Sequence, residues 1–218
     1  VMVKKKPSEV AEGGASTSAA QVQAAASSAG QPSGSRELRR LQVLYDISET
    51  LSRSLDLREV AQPVLEALAD EMGMSRGTLT LLNRQTNEIL IEAAHGLSVE
   101  QLSRGRYRLG EGITGKVIET GKPAIVPRIS KEPKFLDRTR SRQKINREDI
   151  SFICVPITIG KEVVGALSAD RLYPGDVELQ EDVKLLTTIA AMIAQAVRLR
   201  QSVMEEHGRL EAENVRLR

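Results

Sequence analysis

Gly110, Gly112, Gly115 and Lys116 stand at spacings that carry chemistry in other proteins, spelling both G-x-G-x-x-G and G-x-x-x-x-G-K. Such glycines let a backbone close around a phosphate, and the lysine reaches its oxygens. Both patterns lack their context here. The dinucleotide form follows a buried apolar strand that turns tightly into a helix. The run before Gly110 is instead SRGRYRL, with arginines at 104, 106 and 108, which is no core strand. The second form needs Ser or Thr after the lysine to hold magnesium, and Val117 stands there. Nucleotide binding is not expected.

Other reactive side chains are sparse. Cys154 is the single cysteine and lies in the apolar run SFICVPI, where a thiol acts as a small buried hydrophobe. The two histidines, His95 at a turn and His207 far along the chain, make no metal-ligand cluster with it. Grouped cysteines for an iron–sulfur centre are missing, and no nucleophile–base pair stands out by spacing. No catalytic residue, metal or cofactor is expected. Asp170–Arg171 is read as a structural ion pair or cap. The most unusual stretch is residues 128–147, with eight basic residues against Glu132 and Asp137. Arginines in such a loop can fork onto carboxylates; a solvated charged loop is the alternative.

Composition bounds what surrounds these groups. Across 218 residues the net charge is only +2, too little to make nucleic acid the main partner. A lone cysteine cannot form an internal disulfide, so a reducing cytoplasm is the expected location. No apolar stretch approaches the ~20 residues that span a bilayer. Trp is absent and only two Phe and three Tyr occur, so the core must be Leu, Ile, Val and Ala. Residues 1–35 are rich in Ala, Ser and Gly without an aromatic. They are expected to be a disordered low-complexity tail, with no apolar run suited to a signal peptide.

Elements follow from periodicity. Leu38, Leu41, Leu44, Leu51 and Leu55 keep helical spacing and predict a helix over 36–54 with those residues inward. Asp56 and Glu59 are spaced as a capping box for a second helix from Leu57, in which Pro63 predicts a kink or a later start. Alternation predicts a strand at 78–82, a loop at 83–87 and a returning strand at 89–94. A short helix over 113–120 stops at Gly121 before a strand at 124–126. Residues 151–159 are apolar on both faces, as in a mid-sheet strand, with Pro156 implying a bulge or an unpaired N–H. After a turn at Gly160 and Lys161, residues 162–172 pair back, so the sheet is antiparallel and the class α+β. A long helix begins near Val177. Its Leu186, Ile193, Arg200, His207 and Asn214, with Ile189, Ala196, Val203, Leu210 and Leu217, form a heptad seam that predicts a homodimer.

The run LGEGITGKVIETGKPAIVPRISKEPKFL, with SFICVPI and GALSADR after it, resembles the GAF sensory domain of nitrogen-fixation regulators of the NifA type, from about Leu41 onward. The resemblance implies a GAF-like (PAS-related) antiparallel sheet of five to six strands, with terminal helices on one face and a ligand-pocket loop on the other. It divides the chain into a tail at 1–35, the sensory domain at 36–200 and a coiled-coil linker helix at 201–218. In the family that linker leads to an AAA+ ATPase and a helix-turn-helix, neither of which this sequence contains. Function by resemblance is regulatory: control of a sigma-54-dependent activator of nitrogen-fixation genes by a small anionic effector such as 2-oxoglutarate, by a regulatory protein (a flavoprotein anti-activator or a PII-type protein), or by both. DNA and RNA polymerase would be reached only through those other domains. Arg128, Arg138 and Arg140 are the expected carboxylate contacts, with Thr80, Phe135 and Cys154 as pocket wall. The alternative is a dimerisation and protein-docking module with a vestigial pocket. One thiol also falls short of the several cysteines through which free-methionine-sulfoxide reductases of this fold cycle.

Overall fold

The computed structural model describes residues 33–54, 56–142 and 149–216, with side chains at only some positions beyond residue 200. The chain divides into two units, Val1–Leu38 and Arg39–Arg218. The tail expected over 1–35 lies outside the described residues as far as residue 32, and residues 33–35 are already helical.

Helix α1 covers Ser33–Arg53 and α2 covers Leu57–Met72. Strands β1 (Arg76–Asn83) and β2 (Glu88–His95) form the first hairpin. Helix α3 (Val99–Arg104), β3 (Arg106–Arg108), α4 (Gly112–Thr120) and β4 (Ala124–Val126) follow, then a 3-10 turn at Ile129–Lys131. Strands β5 (Ile150–Ile159) and β6 (Glu162–Leu172) form the second hairpin, and α5 (Asp176–Arg216) ends the described chain.

The six strands lie in the order β3-β2-β1-β6-β5-β4, and every neighbouring pair is antiparallel. This is the α+β architecture expected from the short turns. Because side chains alternate along a strand, β5 serves two cores. Ile153, Val155 and Ile157 join α1, α2 and α5 on one face; Phe152 and Cys154 join α4 and Ile129 on the other. Full burial of each such aliphatic contributes about 1.5–3 kcal/mol, so both faces of β5 hold the fold together. The ladder between β5 and β6 shifts register between Ile157 and Thr158, next to Pro156, which cannot donate to a ladder.

Several expectations need correcting. Leu38 and Leu41, assigned to the inner face of α1, are exposed. The buried residues are Val43 and Ile47, with Leu44 and Leu51 packed against the same core; Leu55 lies outside the described residues. The two stripes differ by less than a turn, and sequence spacing alone cannot choose between them. Pro63 neither delays nor ends α2, which is helical from Leu57 to Met72. Residues 106–108 are no core strand, as expected: they form a short edge paired to β2, where arginines are tolerated. Helix α3 was not foreseen, although Ser98 and Gln101 form a reciprocal capping box at its start.

The heptad seam on α5 is consumed in part by the domain itself. Leu186, Ile189 and Ile193 are fully buried against the sheet, whereas Val203, further along the seam, is exposed. Seam positions 210, 214 and 217 lie outside the described side chains. Among the described residues, no helix is long and apolar enough to cross a membrane.

The inner face of α1 can be checked directly. Ile47→Ala should cost about 3 kcal/mol in denaturant unfolding, and Leu41→Ala less than about 0.5 kcal/mol; the reverse ranking would restore the face read from periodicity.

Candidate functional site

With Leu79 and Leu81 directed to the terminal helices, β1 turns Arg76, Thr78 and Thr80 to the opposite face. There β6 lies beside it in register, Arg76 opposite Asp170, Thr78 opposite Ser168 and Thr80 opposite Ala166. Thr78 Oγ1 and Ser168 Oγ share a hydrogen bond of 2.6 Å, and Thr80 Oγ1 donates to the Ala166 carbonyl at 3.1 Å. These contacts make a polar floor in an otherwise aliphatic sheet.

A cavity opens above that floor. Its roof is the segment between β4 and β5, which contributes Phe135, Leu136, Thr139 and Arg142. Tyr107 of β3, Ile113 and Thr114 of the first turn of α4, and Phe152 of β5 close the sides. About 30 Å³ is open to the centres of water-sized molecules, within about 510 Å³ of unfilled space that includes the mouth. That is room for a few waters or one small polar ligand.

The glycine-rich run makes this geometry possible, in place of a phosphate loop. Gly112 has φ 63°, a left-handed conformation that glycine adopts without steric cost. A Cβ on Gly115 would lie 2.4 Å from the Arg108 carbonyl oxygen, so only glycine lets α4 start so close to β3. Arg108 N–H donates to the Glu111 carboxylate at 2.9 Å and Gly110 N–H to the Gly115 carbonyl at 3.0 Å, closing the turn. The first turn of α4 thereby brings Ile113 and Thr114 to the cavity wall.

Arg142 dominates the roof. Its Nε and Nη2 fork onto Asp170 at 2.6 and 2.8 Å, and Nη1 donates to Asp137 Oδ1 at 3.1 Å. The guanidinium lies 5.0 Å from the Phe135 ring centroid and 5.8 Å from that of Phe152. The two rings meet edge to face at 5.1 Å. Arg142 is 8% exposed and Asp170 1%. Burial alone would lower the arginine's pKa, but the two carboxylates outweigh it and hold the pKa above its usual value. Burial pushes the Tyr107 phenol up, against the pull of Arg142. Arg76 adds a second cation to the wall, and its buried Nε has no hydrogen-bond partner among the described residues.

Of the six residues singled out in the sequence, Thr80 and Phe135 line the cavity. Cys154 lies behind the wall, fully buried and hydrogen-bonded to Thr114; burial pushes its thiol up to about 12. The three arginines are not on the wall. Arg128 stacks on Tyr173, its guanidinium carbon 4.8 Å from the ring centroid; Arg138 pairs with Glu111; Arg140 is exposed at the end of a turn, with φ 56°. Arg138 nonetheless acts electrostatically on Tyr107, within reach of the site. The basic residues at 144 and 147 lie outside the described residues.

Arg142, Arg76 and Asp170 were not named as site residues. Asp170 had a signal, since it alternates with Ala166 and Ser168 on one face of β6; Arg142 had none to distinguish it from the arginines beside it. Asp170 and Arg171 each take a separate partner, because neighbouring strand residues face opposite sides. Arg171 Nη1 binds the Asp182 carboxylate of α5, whose other oxygen lies 3.6 Å from Arg40 Nη2 of α1. Burial raises the Asp182 pKa, opposed by Arg171 and Arg40. Among the described residues no group of three or more His, Cys, Asp or Glu could hold a metal. The lining thus combines two arginines and one carboxylate with the hydroxyls of Thr78, Thr80, Thr114, Thr139 and Ser168.

Residues 56–197 match the family model described as GAF domain. Over 179 residues, 82% of its length, the chain is 42% identical to nitrogen fixation protein VnfA of Azotobacter vinelandii, of which that match covers 34%. It is 38% identical to the Nif-specific regulatory protein of Azospirillum brasilense over 81% of its own length and 28% of the relative's. It thus spans about a third of the curated relatives it matches. Among solved structures, the A. aeolicus Nlh2 GAF domain in an inactive state shares the fold at TM-score 0.69 and 23% identity, covering 76% of this chain and 99% of that one. A free methionine-R-sulfoxide reductase from Neisseria meningitidis in complex with its substrate shares it at TM-score 0.65 and 19% identity, covering 79% and 96%.

Two measurements follow from the site. Arg142→Ala leaves Asp170 buried without its cation and should cost about 3–5 kcal/mol; exposed Arg140→Ala should cost less than about 0.5 kcal/mol. The folded Cys154 thiol ionises near 12, against about 8.5 when unfolded. Its raised pKa adds no pH dependence below about pH 8.5 and withdraws stability as pH rises from there toward 12. Thiol reagents at pH 8 should therefore leave Cys154 unmodified until the chain is unfolded.

Proposed function

The chain belongs to the GAF domain family, and on that premise we propose that it is the amino-terminal regulatory domain of a sigma-54-dependent activator of nitrogen-fixation genes. In this reading it senses a small anionic effector of the 2-oxoglutarate kind, in the cytoplasm, and performs no catalysis. The proposal assigns residues 36–200 to the sensory domain and 201–218 to a linker helix toward an ATPase.

One observation carries it. The cavity holds two arginines, Arg76 and Arg142, on the face of the sheet away from the terminal helices, while β6 touches both faces at once. Asp170 grips the roof through Arg142 and the next residue, Arg171, grips α5 through Asp182. A ligand that alters the roof therefore acts on the strand that anchors the output helix. Such a switch requires only that the ligand bind two arrangements unequally. Arg138 and Arg140 serve in this reading as outer cations that attract the anion toward the mouth, and Arg128 tethers the base of the roof at Tyr173. Regulatory proteins, an anti-activator or a PII-type protein, would act on the same roof or on the exposed stretch of α5.

A second reading is favoured by the cavity's small free volume and by the two carboxylates already on Arg142. Here the pocket is vestigial and the domain is a dimerisation and docking module. Exposed Leu199 and Val203, one turn apart on α5, suit a helical seam with a second copy.

Calorimetric titration with 2-oxoglutarate separates the two. The sensory reading expects heat, a rise in melting temperature at saturating ligand, and at least about tenfold weaker binding in Arg76→Gln. No heat and no thermal shift at millimolar ligand removes the anionic effector in favour of docking. Sedimentation tests the seam: the chain should run as a dimer that Leu199→Glu with Val203→Glu converts to monomer.

A further inference from the structure

Uncommitted donors are what the cavity wall offers. Asp170 is the one carboxylate in the lining, and each of its oxygens is engaged by Arg142. In the β1–β6 register Asp170 is also the neighbour of Arg76, the place where a cross-strand ion pair forms. Because Arg142 has taken that partner, Arg76 lines the cavity with no ion pair among the described residues and with its buried Nε unbonded. The hydroxyls differ in the same way. Thr80 Oγ1 donates to the Ala166 carbonyl, Thr139 Oγ1 to Ser141 Oγ at 3.0 Å, and Thr114 is bonded to Cys154. Among the described residues Thr78 and Ser168 have only each other, at 2.6 Å. A hydroxyl carries one hydrogen, so this pair uses one of its two and keeps the second free. Burial keeps the Tyr107 phenol of the lining protonated, which makes it a further donor.

We propose that Arg76 and the Thr78–Ser168 pair form a donor subsite that takes a 2-oxo acid and rejects the matching 2-amino acid. The acid's carboxylate lies on Arg76 and its carbonyl oxygen receives the free hydroxyl hydrogen. The inference rests on the anionic reading of the cavity and adds what the anion must carry beside its charge. Residues two apart on a strand are separated by about 7 Å, a span that one such head group bridges with a hydrogen bond at each end. An oxo oxygen only accepts, which suits a wall of donors. An ammonium in its place finds no uncommitted carboxylate in the lining. It would also stand as a third cation beside two guanidiniums, in a partly buried place where like charges repel more strongly than in water. A plain dicarboxylic acid keeps the contact with Arg76 and leaves the hydroxyl hydrogen unused.

Calorimetry on the full 218-residue chain compares three acids of one length: 2-oxoglutarate, L-glutamate and glutarate, which lacks the 2-oxygen. The oxo acid should bind at least about a hundredfold more tightly than glutamate and about tenfold more tightly than glutarate. Thr78→Val combined with Ser168→Ala should bring 2-oxoglutarate to the affinity of glutarate and leave glutarate itself unchanged. Either substitution alone should keep the preference, because the remaining hydroxyl then has its hydrogen free. The wild-type comparison decides the matter even if the double variant folds poorly, which its melting curve reveals. Glutamate or glutarate binding as tightly as 2-oxoglutarate overturns the subsite while the anionic cavity stands. So does a folded double variant that retains the preference. No heat from any of the three overturns the anionic reading and the subsite with it.

Discussion

The fork between Arg142 and Asp170 is the contact on which the cavity face of the sheet depends. Among the described residues of the roof between β4 and β5, Ile129 and Phe135 are the buried hydrophobes. Two aromatic rings and an ion pair therefore hold it over the sheet. Withdrawing a guanidinium and a carboxylate from water costs several kcal/mol per ion, and only good geometry with further hydrogen bonds offsets it. Arg142 meets that condition with a bidentate fork, a third bond and two ring faces. The charge pair also keeps the cavity polar, because neighbouring hydroxyls of Thr78, Thr80 and Ser168 need no apolar filling to be satisfied.

A second buried charge group mirrors the first across the sheet. Asp182 is fully buried on α5 between Arg171 of β6 and Arg40 of α1. Since burial works to keep its carboxyl neutral and the arginines work to keep it charged, the position of either arginine matters to the helix. Alternation along β6 sets Asp170 and Arg171 on opposite faces one residue apart. One strand end therefore contacts both the roof and α5.

Much of the fold was legible. The hairpins, the two-faced β5, the glycine stop of α4 and the antiparallel class follow from alternation and turn chemistry, which are local. Where local signals were degenerate, reading failed for identifiable reasons. On α1, Leu38 and Leu41 keep helical spacing as well as Val43 and Ile47 do, and only the position of the sheet tells which stripe it covers. Residues 106–108 carry strand geometry under arginines because an edge strand needs no apolar face. The start of the heptad on α5 is a true apolar period, but Leu186, Ile189 and Ile193 spend it on their own domain.

The site shows the same division. Sequence by itself determined the glycine turn, the class of sheet, the family, and the presence of a cationic segment between β4 and β5, since these rest on residue types and short-range spacing. The family resemblance also put Thr80 and Phe135 on one pocket wall. Which arginine enters the cavity was decided by tertiary structure alone. Arg138, Arg140 and Arg142 are near neighbours with the same chemistry. Arg142 goes inward because the turn at 137–140 aims it at Asp170, twenty-eight positions along the chain and reachable only after β6 has paired with β1. A charge pair of that kind is a property of two backbones brought into register, and no spacing within either segment encodes it.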